Sequence, residues 1–115
     1  MRRGDIHEID FAPARGSEAN KRRPAVIVSN DGANITAANL GRGVITVVPV
    51  TSNVSKIHPF QVFVAARDSG LRLDSKAQAE QVRSVAVERV GKRLGRLTTS
   101  LMSELDDALR LHLSL

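Results

Sequence analysis

The chain has 115 residues, 17 Lys and Arg against 12 Asp and Glu, a formal net charge of +5 and no cysteine. That length fits one domain over residues 1–115, and the missing thiols exclude disulfides and thiolate metal clusters. His7, His58 and His112 stand too far apart in sequence to form a zinc ribbon, and no apolar run reaches the ~18 residues of a membrane span. Met1-Arg2-Arg3-Gly4-Asp5 lacks the apolar core of a signal peptide, so a cytoplasmic protein is expected. The positive charge lies in the body. Residues 1–97 hold 16 basic and 9 acidic side chains, whereas residues 98–115 hold Arg110 against Glu104, Asp106 and Asp107. Such a balance suits a polyanion partner and equally an ordinary solvated surface. Only Phe11, Phe60 and Phe63 could stack on bases.

The elements in chain order are mainly short strands. Asp5–Phe11 mixes apolar and polar residues as a half-buried strand does. Residues 12–23 form a loop. Pro24–Val28 is a continuous apolar run expected to be a buried strand, with Pro24 best placed at its first position. Asn30-Asp31-Gly32 signals a turn, and residues 33–41 suit a short helix or a loop. Gly43–Val50 carries the strongest strand signal, and Pro49 suggests an edge position or a bulge near its end. Phe60–Val64 and Gln81–Val87 alternate as strands, residues 67–80 read as irregular, and Arg93–Leu97 reads as a last short strand.

The period then changes. Leu101, Met102, Leu105, Ala108, Leu109 and His112 recur at helical spacing, which predicts a helix over 99–113 capped by Thr99 or Ser100. Asp106 and Asp107 read as charges that solvate this helix. Many strands over 1–97 with one terminal helix predict a mainly β fold, a small bent sheet or barrel with a helix packed on it.

The sequence holds no glycine-rich phosphate loop, no HExxH and no GxSxG. Three segments remain as carriers of chemistry: Gly16–Pro24, Val48–Asn53 and Ala79–Ser84. Arg23 precedes Pro24, so its backbone is driven toward an extended conformation. Its guanidinium matches phosphate geometry, although Lys21, Arg22 and Arg23 also read as a solvated basic loop. Thr51, Ser52 and Asn53 follow a strand end. Gln81 and Arg83, two apart on a strand, should share one face.

Together these segments resemble the MazF/PemK family of toxins. Arg3-Gly4-Asp5-Ile6, Gly16-Ser17-Glu18, Arg23-Pro24-Ala25-Val26-Ile27-Val28, Val48-Pro49-Val50-Thr51-Ser52, Pro59-Phe60-Gln61-Val62 and Glu80-Gln81-Val82-Arg83-Ser84 follow the family's blocks in order. The chain departs from the family at His7, where Trp or Tyr often stands, and at Asn20-Lys21-Arg22, where small residues are common. The resemblance implies a compact SH3-like barrel of the plasmid-maintenance-toxin type (MazF, PemK, CcdB), acting as a homodimer. It implies a cofactor-free, metal-independent endoribonuclease that cuts single-stranded RNA to a 2′,3′-cyclic phosphate and a 5′-OH. It also implies a cognate antitoxin whose C-terminal segment covers the RNA groove. Catalytic roles then fall on Arg23 and Thr51, with Glu18 a candidate base, and RNA contacts on Ser17, Lys21, Arg22, Ser52, Asn53, Lys56, Gln81 and Arg83. The competing expectation on the same architecture is a non-catalytic, CcdB-like toxin that binds DNA gyrase.

Overall fold

A computed structural model describes residues 1–13, 15–18 and 21–115. Ala14, Ala19 and Asn20 lie outside it, and with them the Asn20 departure and part of the Gly16–Pro24 segment. The strands are β1 (Asp5–Asp10), β2 (Arg22–Ile27), β3 (Val44–Thr51), β4 (Gln61–Val64), β5 (Ser75–Gln78), β6 (Arg83–Ala86) and β7 (Val90–Arg96). The helices are α1 (Asp31–Leu40) and α2 (Thr99–Leu113). The strands make one antiparallel sheet in the order β4-β5-β3-β2-β1-β7, with β6 also on β3.

Both faces of this sheet are covered, which is why its central strands read as unbroken apolar runs. One face gathers Ile6, Val26, Val48, Val50, Val62, Val64 and Ala77 against Leu105 and Ala108 of α2. The other gathers Ile9, Phe11, Ala25, Ile27, Ile45, Val47 and Val85 beneath Ala37 of α1. The expected small barrel with a terminal helix is present as a bent sheet that does not close fully. Among the described residues no ladder joins β4 to β7, the two ends of the strand path. Instead the turn after β4 meets β7. The Arg96 N–H donates to the Ser69 carbonyl at 3.0 Å, and Gly95 lies so close that an added Cβ would sit 1.8 Å from the Ser69 oxygen. Glycine is required there by space alone.

Several expectations change in detail. The undecided stretch 33–41 belongs to α1: the Asn30 side chain accepts the Ala33 N–H, and Gly41 ends the helix at φ 66°. β2 begins at Arg22, two residues before Pro24. Pro49 lies inside β3, which is not an edge strand. β3 pairs β6 through Val44–Val47 and β5 through Val50 and Thr51. Pro49 falls in the gap between these two partners, where a missing N–H costs no ladder bond on that side. Within 67–80 a strand does form: Ala77 pairs with both Val50 and Val62, so Ser75–Gln78 is made a strand by its neighbours and not by its own propensity. Gln81 stands in a 3-10 turn, Ala79–Gln81, and β6 starts only at Arg83.

The terminal helix has the predicted bounds, but Thr98 caps it, its hydroxyl accepting the Leu101 N–H at 3.1 Å. His112 is exposed and leaves the buried stripe. Asp106 does more than solvate the helix, since Arg3 Nη2 donates to its Oδ1 at 2.6 Å and ties the helix to the N-terminus.

Asp5 pins β1 to β7. It is nearly buried, and it accepts bonds from Arg96 Nη1 at 2.7 Å and the Arg2 N–H at 2.9 Å, with Arg93 Nε at 3.4 Å. Burial pushes its pKa up. The Arg96 hydrogen bond, the Arg2 N–H and the charges of Arg93 and Arg96 together outweigh burial and hold it below the ordinary carboxylate value. A depressed native pKa means that the unfolded chain binds more protons. The stabilisation is complete above about pH 5, and is lost as pH falls through the native pKa. Asp5→Asn should therefore flatten the dependence of stability on pH below about 5, read as denaturation midpoints at a series of pH values.

Candidate active site

β1 pairs Ile9 with Arg23, and β2 pairs Ala25 with Pro49. Extending the second register by two residues sets Arg23 opposite Thr51, on the same face of adjacent strands. Pro24 keeps the Arg23 backbone extended, and Arg23 itself is half-buried. Thr51 is the last residue of β3. Its Oγ1 accepts the Asn53 N–H at 3.3 Å, which leaves the hydroxyl hydrogen available to donate. Asn53 in turn accepts from the Ser55 N–H at 3.3 Å and its hydroxyl at 2.9 Å, so the turn after β3 is held by its own side chains.

Arg23, Thr51 and Ser52 border an open cleft of about 340 Å³. Its walls are apolar at Pro24, Val50, Leu71, Leu73 and Leu94, with Arg72 and Ser75 among the polar groups. On the far side of Thr51 its ladder partner is Lys76, nearly buried, whose Nζ donates to the Lys56 carbonyl at 2.6 Å. The Lys76 backbone is thus one strand spacing from Thr51, and its ammonium is held on the loop that follows β3. Neither Lys76 nor the Leu71–Leu73 wall was legible in the sequence. Both belong to the stretch whose pairing is tertiary, and an alternation test cannot register a strand that lacks β-formers.

The other predicted residues are distributed around this centre. Gln81 Nε2 donates to the Ser17 carbonyl at 2.8 Å, joining the β1–β2 loop to the turn before β6. Arg83 stacks its guanidinium 5.6 Å from the Phe11 ring centroid. Gln81 and Arg83 therefore do not share one strand face. Lys21 has φ 61°, and its carbonyl accepts the Phe11 N–H at 3.0 Å. Arg22 turns to the opposite face of β2 from Arg23, 3.8 Å from Glu8. Lys56 is exposed. Glu18 is exposed and accepts the Arg15 N–H at 2.8 Å. It does not border the cleft. Among the described residues no three His, Asp or Glu side chains gather as metal ligands, and no helix is long and apolar enough to cross a membrane.

The chain and its fold are matched by known proteins. Residues 2–113 match the family described as PemK-like, MazF-like toxin of type II toxin–antitoxin systems, and the chain belongs to that family. It is 61% identical over 115 residues to Endoribonuclease MazF9 of Mycobacterium tuberculosis, covering all of this chain and 98% of that protein. It is 52% identical over 87 residues to Probable endoribonuclease MazF1 of the same organism, covering 75% of this chain and 94% of that one. Among solved structures, MazF from Deinococcus radiodurans superposes with a TM-score of 0.79 at 26% identity, covering 100% of this chain and 97% of that one. A mycobacterial endoribonuclease in complex with its cognate antitoxin shares the fold, with a TM-score of 0.78 at 23% identity over 100% of this chain and 96% of that one. These relatives do not favour the CcdB-like alternative.

Proposed function

We propose that the protein is the toxin of a type II toxin–antitoxin system and cleaves single-stranded RNA in the cytoplasm without a metal ion. The observation that carries the reading is that Arg23 of β2 and Thr51 at the end of the adjacent β3 border one cleft. RNA contains its own nucleophile, the 2′-OH. Arg23 holds the scissile phosphate and stabilises the charge that builds on its nonbridging oxygens. The Thr51 hydroxyl donates to one of those oxygens and fixes the phosphorus in line with the attacking 2′ oxygen. The new O2′–P bond forms as the P–O5′ bond breaks, and the 5′ oxygen leaves with a proton drawn from solvent. The products are a 2′,3′-cyclic phosphate and a 5′-OH.

Glu18 is the proposed proton acceptor, as the carboxylate of the loop that leads into Arg23. Acting there requires it to exchange the Arg15 N–H for the 2′-OH. Glu18→Gln should lower kcat/KM by about 10²–10⁴-fold. A wild-type kcat/KM in this variant takes Glu18 out of the reaction.

RNA contacts are proposed for Ser17, Lys21, Arg22, Ser52, Asn53, Lys56, Gln81 and Arg83, the cations on phosphates and the polar side chains on base edges. The Gln81–Ser17 bond and the Arg83–Phe11 stack support this by fixing two of these groups next to the β1–β2 loop. A homodimer is the proposed working form, supported by exposed Ile35, Leu40 and Val44 around the α1–β3 turn. A cognate antitoxin is proposed to lay its C-terminal segment over the RNA groove; solved relatives in complex with an antitoxin support such a partner.

The reading is tested with an oligoribonucleotide carrying one 2′-deoxynucleotide on the 5′ side of the mapped cut. Cleavage at that bond should stop while other sites continue to be cut. Undiminished cleavage there overturns 2′-OH attack.

A further inference from the structure

We propose that the cleft beside Arg23 and Thr51 is a nucleobase pocket, that it receives the base flanking the scissile phosphate, and that Leu73 and Arg72 set its base preference. The inference rests on the endoribonuclease reading and adds a specificity site to it.

Three observations carry it. The first is position and size. The cleft begins at the two residues assigned to the phosphate, and its volume of about 340 Å³ lies at the small end of ligand pockets, which run to about 1,000 Å³. A base held there therefore belongs to the nucleoside adjoining the reacting phosphorus. The second is an apolar side chain with no packing reason to be where it is. Leu73 is 63% exposed yet forms part of the cleft wall, in a lining that also includes Pro24 and Leu94. A flat base sandwiched between such walls would bury apolar area on both of its faces. The third is rigidity. The segment 69–74 is tied at both ends: the Ser69 carbonyl accepts the Arg96 N–H at 3.0 Å, the Ser69 hydroxyl accepts the Leu71 N–H at 3.2 Å, and Asp74 accepts the Ala66 N–H at 2.9 Å. Gly70 lies against Gly95 with no room for another side chain between them. A wall so fixed pays little ordering entropy when it binds, and can discriminate.

The polar groups point to a class of base. Arg72 carries donors only. The Ser75 hydroxyl donates to the Leu73 carbonyl at 2.9 Å, and Ser75 is nearly buried. The Ser75 hydrogen is thereby spent, and the donors at this edge are those of Arg72, which favour a base presenting carbonyl oxygen, guanine or uracil, over adenine.

The test uses purified full-length protein and synthetic RNA whose cut site has been mapped. An abasic nucleotide is placed in turn on each side of the cut, and each flanking base is varied. One of the two abasic substrates should be cut about tenfold more slowly by the wild type. Leu73→Ala should lose about tenfold on intact RNA and nothing further on that abasic substrate. Arg72→Ala should lower discrimination for guanine or uracil over adenine at that position by about tenfold, with preferences elsewhere unchanged. Equal losses by Leu73→Ala on intact and abasic RNA overturn the proposal. So does an unchanged RNA profile accompanied by weaker inhibition by antitoxin, which would make the cleft a peptide site. A wild type that cuts no RNA refutes the endoribonuclease reading itself.

Discussion

Arg23→Ala is expected to lower kcat/KM by about 10²–10³-fold, the usual loss when one preorganised donor to a developing negative charge is removed. Arg23 is half-buried on β2 between Ile9 of β1 and the end of β3, so the truncation removes a positioned cation without opening the core. The thermal midpoint should move little by comparison. Arg23→Lys tests the fork separately from the charge. A lysine retains the charge but cannot offer two coplanar donors, so the variant should fall between alanine and wild type. Activity assays on short RNA, with the melting curve of each variant, decide this. Wild-type rates for Arg23→Ala would remove the residue from the mechanism.

Gly95→Ala is expected to cost about 3 kcal/mol of stability, the upper end of ordinary overpacking. The reason is contact: the added Cβ would fall 1.8 Å from the Ser69 carbonyl oxygen, and backbone rather than a flexible side chain must move. Either the turn after β4 leaves β7, breaking the Arg96–Ser69 bond, or β7 shifts on β1. For a domain this small the thermal midpoint should drop by roughly 10 °C. Gly41→Ala is the control. Gly41 has φ 66° with nothing within 4 Å of an added Cβ, so only the conformational penalty of about 1–2 kcal/mol applies. If both substitutions cost the same, the close approach at Gly95 is not what holds the ends of the sheet together.

The sequence carried the strands that bury β-branched residues on both faces, and the terminal helix, whose period and bounds stand. It did not carry β5. Ser75-Lys76-Ala77-Gln78 has no β-branched or aromatic residue, and it is a strand because Val50 and Val62 flank Ala77. That one omission hid much of the candidate site. Lys76 could not be placed beside Thr51, and Leu71, Arg72 and Leu73 could not be seen as a wall. Arg23 and Thr51 were visible, as a pre-proline arginine and a strand-end threonine. Their juxtaposition was not, because it depends on the β2–β3 register. Gln81 and Arg83 were assigned to one face by alternation. The Ala79–Gln81 turn interrupts that alternation and sends Gln81 to Ser17 instead.

The central claim is that this chain cuts RNA through the substrate's 2′-OH with no metal ion. Purified protein incubated with single-stranded RNA in excess EDTA, followed by mapping of both new ends, tests it most directly. The expected result is cleavage at defined sites with 2′,3′-cyclic phosphate and 5′-OH termini. Cleavage that appears only when Mg²⁺ is restored, or that leaves a 5′-phosphate, would contradict it.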